Sequence, residues 1–143
     1  MSTLNFSTSI KAPKEKVWDK LWGDASYRKW TAAFMEGSYA ESDWKEGSKI
    51  SFLTPGGEGM FGVIKEKRPP IQMTFKHVGE IKNGIEEAKD WGDALESYHL
   101  EEKDGATTVN VTLKMEQATP DFEQYFNYAF PKALGILKEI SEQ

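Results

Sequence analysis

Near the N-terminus, Leu4, Phe6, Thr8 and Ile10 alternate with Asn5, Ser7, Ser9 and Lys11. A period of two predicts a half-buried strand. Pro13 ends it and suits a first helical turn, where its missing N–H is no loss. Val17, Trp18, Leu21 and Trp22 then recur at helical spacing, with Glu15 adding negative charge to the first turn. Gly23 stops this helix, and Asp24 is placed to cap a second short one through Ala25–Thr31.

The middle of the chain is strand-rich. A short strand is expected over Glu36–Ala40, and another over Ser48–Leu53 with Ile50 and Phe52 on one face. Pro55-Gly56-Gly57 is a turn, and Gly59–Lys67 returns to make a hairpin. After Arg68-Pro69-Pro70, the residues Ile71, Met73, Phe75 and His77 alternate with Gln72, Thr74 and Lys76. Gly79–Gly92 reads as a polar loop, with a helical turn at Glu86–Lys89. Ala94–Glu102 and Thr107–Glu116 are strands joined by the turn Lys103-Asp104-Gly105. Val109, Val111, Leu113 and Met115 share one face of the second, and its other face is polar and wet.

The last segment carries the strongest periodicity. Thr119 can cap and Pro120 fits the first turn. Phe122, Tyr125, Phe126, Ala129, Phe130, Ala133, Leu134, Leu137 and Ile140 then define a long amphipathic helix. Pro131 inside it is expected to kink it near Tyr128–Phe130.

Consecutive strands joined by tight turns, with helices at both ends, make an α+β domain. A strongly twisted antiparallel sheet curls. The expected architecture is a single domain over 1–143. A curved antiparallel sheet of about six or seven strands wraps a long C-terminal helix, and two short helices follow the first strand. A long helix across a concave face cannot touch every inward side chain. The gap is either filled by large residues or left as an apolar cavity.

Composition narrows the function. The chain has 143 residues, with eight Phe, five Trp and five Tyr, which favours a large core or an apolar pocket. Its net charge of −5 is a poor match for phosphate backbones, so nucleic-acid binding is not expected. The absence of cysteine excludes disulfides, thiolate nucleophiles and cysteine zinc sites. Met1–Phe6 has neither a charged region nor an apolar run of the secretory kind, and no stretch reaches the ~20 apolar residues of a membrane span. A cytoplasmic location is expected. The sequons at Asn5 and Asn110 fall in expected strands and carry no weight without secretion.

Ala12-Pro13-Lys14-Glu15-Lys16-Val17-Trp18 resembles the opening "AP.E.VW" of the helix-grip proteins of the START/Bet v 1-like (SRPBCC) superfamily. Trp30, Gly37-Ser38, Trp44-Lys45-Glu46-Gly47, Pro69-Pro70, Tyr98–Glu102 with Gly105–Thr108, and Phe130–Leu134 keep the family order. The resemblance covers nearly the whole chain. Its closest branch is the one named after the activator of Hsp90 ATPase. It implies a helix-grip fold and, often, a hydrophobic ligand cavity. It implies no single function, because the superfamily hosts carriers, cyclases, hydroxylase domains and co-chaperones.

Candidates to line such a cavity are Trp18, Trp22, Trp30, Phe34, Phe52, Met73, Phe75, Tyr98, Phe122, Phe126 and Phe130. Taken singly, each is more often plain core. His77 shares a face with Met73 and Phe75 and can point inward, as a base or a hydrogen-bonded structural histidine. His99 has the opposite parity and faces out, so the two histidines do not form a metal site. Glu96 has the parity of Tyr98 and either faces the cavity or reaches solvent at the rim. Gly56-Gly57-Glu58-Gly59 opens no helix and is a hairpin turn, not a phosphate loop. No nucleophile elbow or zinc-protease motif occurs, so no metal, cofactor or catalytic residue is assigned.

These residues fit a non-enzymatic binder of a small apolar or amphipathic ligand. They also leave open an interaction module for an Hsp90-type chaperone partner. The third reading is a cyclase- or hydrolase-type enzyme using His77 and Glu96.

Overall fold

The computed structural model describes residues 2–116 and 119–143. Strand β1 (Ser2–Ile10) leads into helices α1 (Lys14–Trp22) and α2 (Asp24–Trp30), followed by a short 3-10 turn at Thr31–Ala33. Strands β2 (Tyr39–Glu41), β3 (Lys49–Leu53), β4 (Gly59–Arg68), β5 (Gln72–Lys82), β6 (Ile85–Ala88), β7 (Leu95–Lys103) and β8 (Ala106–Met115) then precede helix α3 (Pro120–Ser141). All the strands join one curved antiparallel sheet in the order β1-β8-β7-β5-β4-β3-β2, with β6 on β5. The α+β helix-grip architecture is as the sequence predicts.

Four details differ. The sheet has eight strands rather than six or seven, because 79–92 is not a plain loop. β5 continues to Lys82, turns at Asn83-Gly84 and returns as β6, so Glu86–Lys89 forms no helical turn. Both turn residues have positive φ, 52° and 75°, which suits a two-residue hairpin. The short strand expected at Glu36–Ala40 begins at Tyr39. Gly23, not Asp24, is the N-cap of α2, and Asp24 is its first helical residue.

Strand β5 changes neighbour along its length. Gln72–Lys76 pairs with β7, whereas Gly79–Lys82 pairs with β6. The segment between β6 and β7 therefore crosses the sheet at the level of His77, whose backbone N–H donates to the Ala94 carbonyl at 2.8 Å. On the opposite side of β5, register shifts in β4 at Phe61/Gly62 and Ile64/Glu66 bend the strands. Gly62 permits this approach: a Cβ there would lie 2.0 Å from the Lys76 carbonyl oxygen.

Helix α3 is capped by Thr119, whose hydroxyl accepts from the Phe122 N–H at 3.2 Å. Its helical run continues unbroken through Pro131. The carbonyl that Pro131 leaves without a donor belongs to Asn127, on an exposed face where water can serve it. Ala129, Phe130, Ala133, Leu134, Leu137 and Ser141 are buried, whereas Phe122, Tyr125 and Tyr128 are exposed. The C-terminal half of the helix thus seals the core, and the N-terminal half only partly covers the sheet.

Candidate functional site

The aromatic residues of α1, α2 and the sheet meet first of all one another. The Trp22 ring lies 5.0 Å from Tyr98, 5.4 Å from Phe75, 5.9 Å from Trp44 and 6.0 Å from Trp18, mostly edge to face. Such T-shaped pairs match the positive edge of one ring to the negative face of the next. The Trp30 indole N–H donates to the Leu21 carbonyl at 3.0 Å. Phe130 stacks on Phe6 at 4.9 Å and meets Phe34 edge-on at 4.8 Å. Trp18, Trp22, Trp30, Phe34, Phe52, Met73, Phe75, Tyr98 and Phe130 are therefore core-packing residues rather than lining of the recess described next. Trp18 and Trp22 also edge a shallow surface groove with Asp19, Trp44 and Lys67. That groove measures about 400 Å³, but it is open to solvent and does not enclose a guest.

A recess of about 270 Å³ lies where β5 passes from β7 to β6. Its wall is apolar: Met60, Ala94, Leu95, Leu113 and Met115 from the sheet, Trp91 from the β6–β7 connection, and Phe122 and Phe126 from the first turns of α3. Its polar lining is His77, Glu80, Glu96, Glu116 and Thr119. The recess thus brings together four residues that the sequence singles out, His77, Glu96, Phe122 and Phe126. The other lining residues are not among the expected cavity candidates. Leu113 and Met115 carried a visible inward parity on β8, whereas Trp91 and Glu80 lie in a segment read as polar loop.

His77 and Glu96 are the chemical centre of this surface. The His77 Nε2 lies 2.9 Å from Glu96 Oε1, and their side chains are only 11% and 20% exposed. The Tyr98 hydroxyl donates to Glu96 Oε2 from within the core. The carboxylate thus has one partner on each oxygen, the His77 ring on Oε1 and the Tyr98 hydroxyl on Oε2. His77 Nδ1 is buried, and among the described residues none hydrogen-bonds to it. The tautomer that suits this geometry carries its proton on Nε2 and leaves Nδ1 bare.

Burial pushes the Tyr98 phenol well above its usual range, and the Glu96 charge and hydrogen bond add to the effect. Tyr27 is raised for the same leading reason, with a further contribution from Glu96. Both phenols are thus fixed as O–H groups, and Tyr98 is a permanent donor to Glu96. His99 lies on the outer face, 3.6 Å from Glu101 and half exposed. Among the described residues, no group of three or more His, Asp or Glu side chains gathers as metal ligands. No described helix is long and apolar enough to cross a membrane.

An eight-stranded curved sheet gripping one long terminal helix, with a recess between them, defines a helix-grip protein of the START/Bet v 1-like (SRPBCC) class. Within that class, the chain belongs to the family described as activator of Hsp90 ATPase homolog 1-like protein, whose model matches residues 11–142. The solution structure of the Aha1 dimer from Colwellia psychrerythraea is similar, at 25% identity and a TM-score of 0.77, covering 99% of this chain and 97% of that one. A crystal structure of a Chromobacterium violaceum protein shares the fold at 17% identity and a TM-score of 0.71, covering 100% and 99% of the two chains. DynU16, from the dynemicin biosynthetic locus, shares it at 13% identity and a TM-score of 0.75, covering 100% of this chain and 48% of that one. Among curated proteins, none matches this chain in sequence.

Proposed function

We propose that this chain binds a small amphipathic molecule in the recess between the sheet and the N-terminal half of α3. One observation carries the reading: an apolar hollow of about 270 Å³ has a hydrogen-bonded histidine–carboxylate pair on its wall. A dry apolar cavity of roughly 150 Å³ suffices for a benzene ring. The hollow here suits a guest of about two fused rings. Each 100 Å² of apolar guest surface buried contributes about 2.5 kcal/mol before the costs of ordering. Glu96 and His77 would fix the polar end of the guest, while Trp91, Leu113 and Phe126 hold its body.

The test is a titration of isotopically labelled protein with 2-(1-naphthyl)ethanol, followed by amide and indole NMR shifts. Shifts should concentrate at Trp91, Ala94, Leu95, Glu96 and Leu113. A saturating titration that moved none of them, or moved only distant residues, would overturn the reading.

The family match favours a second reading, an interaction module for an Hsp90-type chaperone. On that reading an outer surface carries the function and the recess is incidental. Recovery of the host chaperone by the immobilised protein supports it, and an empty pull-down counts against it.

A further inference from the structure

We infer that the recess selects amphipathic cations, an apolar body carrying a protonated amine, over anions such as fatty acids or aryl carboxylates. The inference rests on the binding reading above and adds the charge of the guest.

The recess wall carries Glu80, Glu96 and Glu116, with no Lys or Arg among its described lining residues. Glu96 matters most, because it is the least exposed of the three: its side chain is 20% exposed against 35% for Glu80, and Glu116 is exposed. Buried charges are normally paired, since an isolated carboxylate loses its hydration on burial. Glu96 is hydrogen-bonded by the phenol of Tyr98 and paired with the imidazole of His77, and among the described residues it has no Lys or Arg partner. Even with His77 set against Glu96, Glu80 and Glu116 leave the wall with more carboxylates than basic side chains. A carboxylate offers about four lone-pair sites, of which two are used here, and the remainder can accept from an ammonium.

The other groups at the recess do not reverse this balance. Glu80 has Lys82 at 3.5 Å, but Lys82 is strongly exposed and weakly held in water. The N-terminus of α3 is a source of positive potential. It is already answered by the Thr119 cap and by Asp121 and Glu123 in the first turn. Trp91 and Phe126 on the wall are rings over whose faces a cation, not an anion, is attracted.

The experiment compares three guests with one ring system: 2-(1-naphthyl)ethylamine, 2-(1-naphthyl)ethanol and 1-naphthylacetate. Each is titrated calorimetrically into the intact protein at low and high salt. The amine should bind about tenfold tighter than the alcohol, as a charge-assisted hydrogen bond implies. The carboxylate should bind most weakly, and salt should erode the amine's advantage. Glu96→Gln, which keeps the shape and removes the charge, should abolish that advantage; because Glu96 also anchors the alcohol, the quantity read is the ratio of the amine and alcohol affinities. Should Glu96→Gln fail to fold, Glu80→Gln at the rim takes its place, with the advantage falling about twofold.

A carboxylate that binds as well as the amine overturns the inference, as does an advantage that survives in folded Glu96→Gln. If the alcohol binds and the amine gains nothing, charge selection falls and the binding reading stands. If none of the three guests binds, both fall together.

Discussion

Glu96 faces Phe75 in the β5–β7 ladder, yet its carboxylate reaches diagonally to His77, two positions along β5, at 2.9 Å. Diagonal neighbours in a sheet lie within reach of long side chains. Here the diagonal is favoured because the position directly across belongs to a buried ring. Phe75 fills the core, and the carboxylate turns toward the recess, where Tyr98 and His77 supply donors.

Tyr98→Phe removes one of these donors while leaving the packed ring in place. Hydrogen bonds to charged acceptors contribute about 1.5–3 kcal/mol, and a loss of that size is expected. Urea unfolding should show it as a lower midpoint at unchanged slope. An unchanged midpoint would mean that the hydroxyl gives Glu96 nothing.

The two raised phenols link stability to alkaline pH. Tyr27 and Tyr98 stay protonated in the folded chain above the ordinary value of 10.0, whereas the unfolded chain loses those protons near it. Folding therefore binds protons in this range. Stability contributed by the raised phenols is complete below about pH 10 and lost as pH climbs beyond it, by about 1.4 kcal/mol per pH unit for each group. Denaturation midpoints measured across pH 9 to 11 check this. Tyr98→Phe should roughly halve the alkaline slope, and a flat profile in the native sequence would contradict the argument.

Phe130 and Tyr128 stand two residues apart on one helix with opposite fates, 1% and 71% exposed. Phe130→Ala empties the space between Phe6 and Phe34 and should cost about 3–5 kcal/mol. Tyr128→Ala should stay within about 0.5 kcal/mol of the parent. Chemical denaturation of both variants checks the contrast, and comparable losses would misplace the core.

Met115 lines the recess near the end of β8 and is only partly buried. Met115→Trp should fill the hollow and weaken naphthyl guests by about tenfold or more, at a stability cost of about 1–3 kcal/mol. Calorimetry and a melting curve on the same variant separate the two effects. Undiminished affinity in a folded variant would place the guest elsewhere.

Most of the architecture was legible because its signals are local. Alternation in β1, β5 and β8, the glycine turns, and the wide apolar stripe of α3 are each set by neighbouring residues. β6 was missed because Ile85, Glu86, Glu87 and Ala88 are all exposed, so burial leaves no periodicity to read. The available cue was the dipeptide Asn83-Gly84, whose backbone freedom suits a tight hairpin better than a loop. Glu80 and Trp91, which flank β6, are concealed with it.

The division between core and recess could not be read from the chain at all. Trp22, Phe75 and Phe126 are equally apolar as letters, and parity places Phe75 and His77 on one face. Only the three-dimensional packing decides that the tryptophans of α1 and α2 close upon one another, while Phe126 is left beside a gap.

Four of the five tryptophans, Trp18, Trp22, Trp30 and Trp44, contribute nothing to the recess wall. They pack on one another and on the core instead. The scaffold's stability is thereby set mainly away from the recess, so side chains on the recess wall can be exchanged at little risk to folding.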